Sequence, residues 1–393
     1  MKGLVLIALV VPALAADAQE SPPPVSGNAS KNYVNLSLDA LFAAGASTEP
    51  DVAGLQTGGH DPAQRGFTVQ NVELVLDGAV DPYFKGQANV VLQITPEGET
   101  TIELEEVYAT TTALAHNLQA KVGQFFSEFG RLNPTHPHSW DFVDQPLVSG
   151  RMFGGDGLRS VGARLSWLMP TPFYSEILVA AQNAKGETAT SFGSVADETQ
   201  FGRTLAPDDV KTFGDMLYVP RWNSSFDIGA TQTLVVGVSG AFGPNGTGAA
   251  ANTAIGGVDF LWKWKSAHAD KGFPFVKVQA EGMARSYEAA ATATLAADTF
   301  HDHGAYAQVV WGVKPMWTVG ARLDSVGGDV GDDPADPRFQ PRERAALEGT
   351  WYPTEYTKLR VQYAYDDRTG SKDASSLWLQ FEFLLGAHAA HKF

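Results

Sequence analysis

The chain has 393 residues, of which 44 are acidic and 28 basic, for a formal net charge of −16. Charged residues make up 18% and apolar residues 44%, with 40 glycines, 22 phenylalanines and 9 tryptophans, so apolar material is ample and global disorder is excluded. The acidic balance excludes nucleic acid as a partner, and the absence of cysteine excludes disulfides, thiolate metal sites and a cysteine nucleophile.

Lys2 is followed by an apolar run from Gly3 to Ala15 that ends in Ala13-Leu14-Ala15. A positive start, a short apolar core and small residues at its end predict a signal peptide over residues 1–15, cleaved after Ala15, with Ala18 as the alternative. The run is shorter than the ~20 residues that span a bilayer as a helix. Cleavage removes one lysine and leaves a charge of 27 − 44 = −17. Residues 16–31, with Ser21-Pro22-Pro23-Pro24, read as a flexible linker, and residues 32–393 as the folded body.

The body alternates with period two. In Tyr356 to Asp366, Leu359, Val361, Tyr363 and Tyr365 share one face, and Lys358, Arg360, Gln362 and Asp366 the other. Strands alternate in this way, one face apolar and one wet. About 16 such segments follow one another: 32–44, 66–80, 83–95, 99–112, 117–127, 159–169, 173–185, 217–229, 232–243, 253–265, 273–288, 300–312, 315–327, 340–352, 355–367 and 375–386. Most exceed the usual ~5–6 residues of a globular strand and suit tilted membrane-crossing strands. Closure into a barrel hides their edges. The predicted fold is all-β: a transmembrane antiparallel β-barrel of about 16 strands.

Connections after even-numbered strands are short, as at Asp81-Pro82, Ala230-Thr231 and Pro353-Thr354. Those after odd-numbered strands include the long ones, about 45–65, 128–158, 186–216, 289–299 and 328–339. Short periplasmic turns and long outer loops are the pattern of outer-membrane barrels. Phe84, Trp167, Phe173, Tyr174, Trp317, Trp351, Tyr352 and Tyr356 lie near strand ends as an interfacial girdle. The chain ends in Phe393.

Lys121-Val-Gly-Gln-Phe-Phe-Ser-Glu-Phe-Gly130, with the terminal Phe393 and the order of elements, resembles the phosphate-selective (O and P type) porins of Gram-negative outer membranes. His136-Pro-His138, Met152-Phe-Gly-Gly-Asp-Gly157 and Pro170-Thr-Pro-Phe-Tyr174 resemble a branch sometimes labelled zinc-regulated outer-membrane receptors. A plugged receptor needs a domain before its barrel, where this chain shows only the short linker. The resemblance implies an outer-membrane location, passive diffusion of small hydrophilic solutes or ions, and a homotrimer. It also implies outer-membrane lipid and lipopolysaccharide as surroundings, and recognition of Phe393 by the barrel assembly machinery.

Alternation points Lys121, Arg164, Lys277, Arg285, Arg322, Arg344, Lys358 and Arg360 into the lumen. Glu73, Asp77, Glu103, Glu105, Glu281, Asp324, Glu348, Asp366 and Glu382 join them. Separated basic and acidic ladders set up a transverse field across a pore; the alternative is a wall of mutually paired charges. The loop 128–158 carries Glu128, Arg131, His136, His138, Asp141, Asp144, Arg151 and Asp156, and is the expected constriction. Two His-x-His pairs, His136/His138 and His301/His303, fall on the same predicted side, where imidazoles beside carboxylates suit Zn²⁺. They support a second reading, metal uptake or capture, should the two pairs converge. No Ser/His/acid constellation or phosphate cradle appears, so no enzyme and no cofactor other than zinc is expected.

Overall fold

The computed structural model describes residues 33–386; the expected signal peptide, the whole expected linker, His388, His391 and Phe393 lie outside the described residues. The chain forms β1 (Val34–Ser47), β2 (Gly66–Ala79), β3 (Phe84–Ile94), β4 (Thr100–Thr111), β5 (Leu118–Phe126), β6 (Arg159–Leu168) and β7 (Tyr174–Asn183). A two-stranded ribbon follows, β8 (Thr199–Gln200) and β9 (Arg203–Thr204). Then come β10 (Met216–Ile228), β11 (Gln232–Pro244), β12 (Asn252–Asp270), β13 (Phe273–Ala289), β14 (Asp298–Lys314), β15 (Trp317–Gly328), β16 (Arg342–Thr354), β17 (Thr357–Arg368) and β18 (Ala374–Gly386). Two short helices, α1 (Val52–Leu55) and α2 (Leu147–Phe153), lie in loops, and no described helix is long and apolar enough to cross a membrane.

All strands except the ribbon pair with their neighbours in one closed sheet. β1 meets β18 antiparallel, with Leu38 opposite Leu385 and Gly45 opposite Trp378. A closed sheet of sixteen antiparallel strands leaves no edge to be satisfied in lipid. Short turns gather at one rim, such as 315–316 and 355–356, and long loops at the other, such as 127–158 and 329–341.

The outer surface is apolar. Val122, Leu165, Val258, Leu323, Leu347, Val361 and Leu379 are exposed there, as are Trp167, Trp317 and Trp351. Trp317 and Trp351 stack on the register pair that joins β15 to β16, with centroids 5.9 Å apart. Tyr352 departs from the expected girdle: strict alternation in β16 sets it on the face of Arg344, Glu348 and Thr350, inside the barrel.

Candidate functional site

The loop from 127 to 158 does not project from the rim; it folds into the barrel and runs round its inner wall. Its entry is held by Glu281 of β13, which accepts the N–H groups of Arg131 (3.1 Å) and Leu132 (2.8 Å) and the hydroxyl of Tyr306 (2.7 Å). Gly130 makes this approach possible. Its φ is +62°, and a Cβ there would lie 2.0 Å from Glu281 Oε2. The other glycine of the Lys121–Gly130 stretch, Gly123, has φ +139° and a Cβ there would strike the Val107 carbonyl of β4. Both demands are those that only glycine meets freely.

Further on, His136 meets β2 and β4, the turn Pro137–Ser139 meets β1 and β2, and the loop then crosses to β16 and β17. Lys358 Nζ donates to the His138 carbonyl (2.6 Å), Arg360 to that of Trp140 (2.9 Å), and the Val143 N–H donates to Gln362 (2.7 Å). Asp144 anchors the loop there, accepting from Arg322 (2.8 Å), Arg344 (2.8 Å) and Gln362 (2.8 Å). α2 then packs Leu147, Val148, Met152 and Phe153 into an apolar core with Phe125, Phe129 and Leu158, inside the barrel. Arg151 pairs with Asp302 (2.8 Å), which Arg285 also holds (2.7 Å). The loop closes on itself where Asn133 accepts the Leu158 N–H (2.8 Å).

The remaining sites read from the sequence fall as follows. Glu128 pairs with Lys121 (2.8 Å) and Arg164 (3.5 Å), and Glu103 with Arg159. Asp141 holds Lys277 (2.6 Å) and accepts from Gln308 (2.6 Å). Asp156 lies beside Gly59 of the first loop. The wall is therefore largely a set of paired charges tied to the inserted loop. A cavity of about 180 Å³ remains, lined by Arg131, Trp140, Asp141, Lys277, Gln279 and Gln308. Arg131 has no ion pair among the described residues, and burial lowers its guanidinium pKa.

The two His-x-His pairs do not converge, so the condition for reading them together as one metal site is not met. His301 and His303 alternate with buried Phe300, Asp302 and Gly304 and are exposed on the outer face of β14. Alternation put both of them on one side, and that side faces away from the lumen. His136 and His138 stack within the barrel, their ring centroids 5.7 Å apart. Around them gather carboxylates that spacing did not connect. His136 Nδ1 lies 3.3 Å from Glu73 and 2.9 Å from Glu105, and its Nε2 lies 3.1 Å from Glu106. His138 Nδ1 lies 3.2 Å from Glu73 and 3.9 Å from Asp39. His60, from the first loop, lies 3.5 Å from Glu105.

Glu106 escaped period-two reasoning for a local reason. The pairing of β3 with β4 shifts register between Asn89 and Val90, so that Glu105 is an extra residue and both Glu105 and Glu106 turn inward. Such a bulge re-aims side chains, and nothing in the alternation announces it. Burial would lower the His136 pKa, but the Glu73 and Glu105 carboxylates more than offset this and hold it well above the ordinary histidine value.

No protein-family model matches the chain. Among solved structures, the chain is similar to the outer-membrane channel DcaP of Acinetobacter baumannii at a TM-score of 0.58 and 13% identity, over 92% of this chain and 100% of that one. An anion-selective porin of Comamonas acidovorans superposes at 0.57 with 9% identity, over 90% and 100%. Pseudomonas putida OprB superposes at 0.53 with 11% identity, over 90% and 94%. These likenesses are in fold. Together with the apolar outer belt, that fold places the barrel in the outer membrane of a Gram-negative bacterium. In sequence, the chain is 31% identical over 410 residues to an uncharacterized protein of Aquifex aeolicus (strain VF5), covering 94% of this chain and 81% of that protein. The chain belongs to the family of that Aquifex aeolicus protein, and within it takes the sixteen-stranded fold of outer-membrane porins.

Proposed function

We propose that this protein is a porin that lets small hydrophilic solutes or ions diffuse passively across the outer membrane, filtered where the 127–158 loop faces the charged wall. The observation that carries the reading is a closed barrel, apolar outside and ionised inside, with the 127–158 loop anchored across the lumen at Glu281, Asp144 and Asp302. Arg131, Asp141 and Lys277, around the residual cavity, are the groups a passing ion meets. Filtering is steric and electrostatic, with no catalytic step. Phosphate selectivity, the finer reading, is supported by the inward arginines 285, 322, 344 and 360, and weakened because each has carboxylate or amide partners. Removal of residues 1–15, recognition of Phe393 by the assembly machinery and association as a homotrimer belong to the same proposal; one structure similar in fold is described as a trimer form.

Single-channel conductance and reversal potential in a planar bilayer under a KCl gradient test it. Steady conductance from the purified mature barrel is expected. A folded barrel that conducts under no voltage would overturn the porin reading and leave an occluded barrel.

A further inference from the structure

Asp39, Glu73, Glu105 and Glu106 are all buried, and they converge where the inserted loop and the first loop meet the β1–β4 wall. Three imidazoles face these four carboxylates. With the histidines neutral, the pocket carries excess negative charge away from water, an arrangement that demands a proton or a metal cation.

The bonding pattern distinguishes the two. Glu106 takes His136 Nε2 at 3.1 Å and also accepts the Phe126 N–H at 3.0 Å, so it is rigidly placed. With His136 neutral, a carboxylate accepting from Nε2 leaves the Nδ1 lone pair free. That Nδ1 points at Glu73 Oε1 (3.3 Å) and Glu105 Oε2 (2.9 Å). Nδ1 and Glu105 Oε2 are buried 2.9 Å apart without hydrogen-bond geometry, and neither has another hydrogen-bond partner. Donors held ~2.0–2.1 Å from one tetrahedral metal lie about 3.3–3.4 Å apart, close to the spacings seen. Glu73 is held by His138, which meets its Oε2 at 3.2 Å, and by Asn89, which donates to its Oε1, while His60 Nε2 lies 3.5 Å from Glu105 Oε1. A cavity of about 20 Å³ beside His60 and Glu105 has room for one water.

We propose that Glu73, Glu105 and His136 bind a tetrahedral transition-metal dication of the zinc class, with Glu106, His138 and His60 orienting the three ligands and water completing the set. The mixed nitrogen and oxygen donors select zinc-like ions over the all-oxygen preference of calcium and magnesium. The ion pins the inserted loop to the wall, because His136 comes from the loop while Glu73 and Glu105 come from β2 and β4. The inference stands apart from the conduction reading: binding is measured on the folded barrel whether or not it conducts.

The test uses the purified full barrel in detergent, stripped with a chelator and titrated with Zn²⁺ by calorimetry and with Co²⁺ by visible absorption. Heat-modifiability on a gel confirms folding of every sample. Saturable binding is expected, with the intense visible bands of tetrahedral Co²⁺. Glu105→Gln and His136→Gln should each weaken Zn²⁺ binding by more than about 100-fold, and Glu106→Gln by ~10–100-fold. His301→Ala with His303→Ala, on the outer face, should leave it unchanged. No saturable uptake by folded wild-type barrel would overturn the site and make a proton on His136 the neutralising charge. Uptake with only weak octahedral Co²⁺ bands, or uptake unmoved by Glu105→Gln, would overturn it equally.

Discussion

Asp144 Oδ2 accepts a hydrogen bond from Arg344 Nη1 at 2.8 Å, joining residues 200 positions apart inside the barrel. Arg322 reaches the other oxygen of the same carboxylate at 2.8 Å and lies over the ring of Phe142. One loop aspartate thus bridges two wall arginines, each of which also pairs with a wall carboxylate, Arg322 with Asp324 and Arg344 with Asp366. Removing one partner of such a buried set costs ~3–5 kcal/mol, because the other charges stay buried.

Asp144→Asn should therefore both loosen the loop and leave Arg322 and Arg344 with one carboxylate fewer, Asp324 and Asp366 remaining. We expect larger, noisier single-channel conductance and a shift of reversal potential towards anions. Unchanged conductance and selectivity in a folded variant would mean that the loop does not gate the lumen.

The cavity beside the loop makes a second prediction, with opposite signs. Arg131→Gln removes an unpaired cation, and Lys277→Gln frees Asp141 from its 2.6 Å partner, so each should move selectivity towards cations. Asp141→Asn should move it towards anions. Reversal potentials under one KCl gradient check all three, and a common direction would place the filter elsewhere.

Gly130 carries a backbone argument. Gly130→Ala places a side chain at φ +62°, at a cost of roughly 1–2 kcal/mol, and drives a Cβ into Glu281. Its heat-modifiability midpoint should fall below that of wild type. Gly256→Ala meets nothing within 4 Å and should leave the midpoint in place.

The outer belt gives the fourth. Leu347 is 61% exposed on the outside of β16, between Ala321 and Tyr363 in register. Leu347→Arg should destabilise the barrel in bilayers by ~2–4 kcal/mol, the cost of an arginine facing lipid near the midplane. Urea-driven unfolding from lipid vesicles measures it, and a negligible change would put this face outside the apolar layer.

What the chain determines locally was legible in the sequence, because period two acts between neighbouring residues. Leu359, Val361 and Tyr363 alternate with Lys358, Arg360 and Gln362 both in the sequence and on the wall of β17. Sixteen such segments of even number, with short and long connections in turn, already specify an antiparallel barrel with two unlike rims. Tertiary structure alone decided which charges meet. Asp144 finds Arg344, and His136 finds Glu73 and Glu105, only because the loop turns inward and runs round the lumen. His301 and His303 carry the same short motif as His136 and His138, yet face outward, since their strand phase is set by pairing with β13 and β15. Glu106 joins the cluster through a one-residue bulge in β4, a departure from period two that depends on the partner strand. Alternation is a property of the strand itself, whereas charge partners and register belong to contacts between segments far apart in the chain.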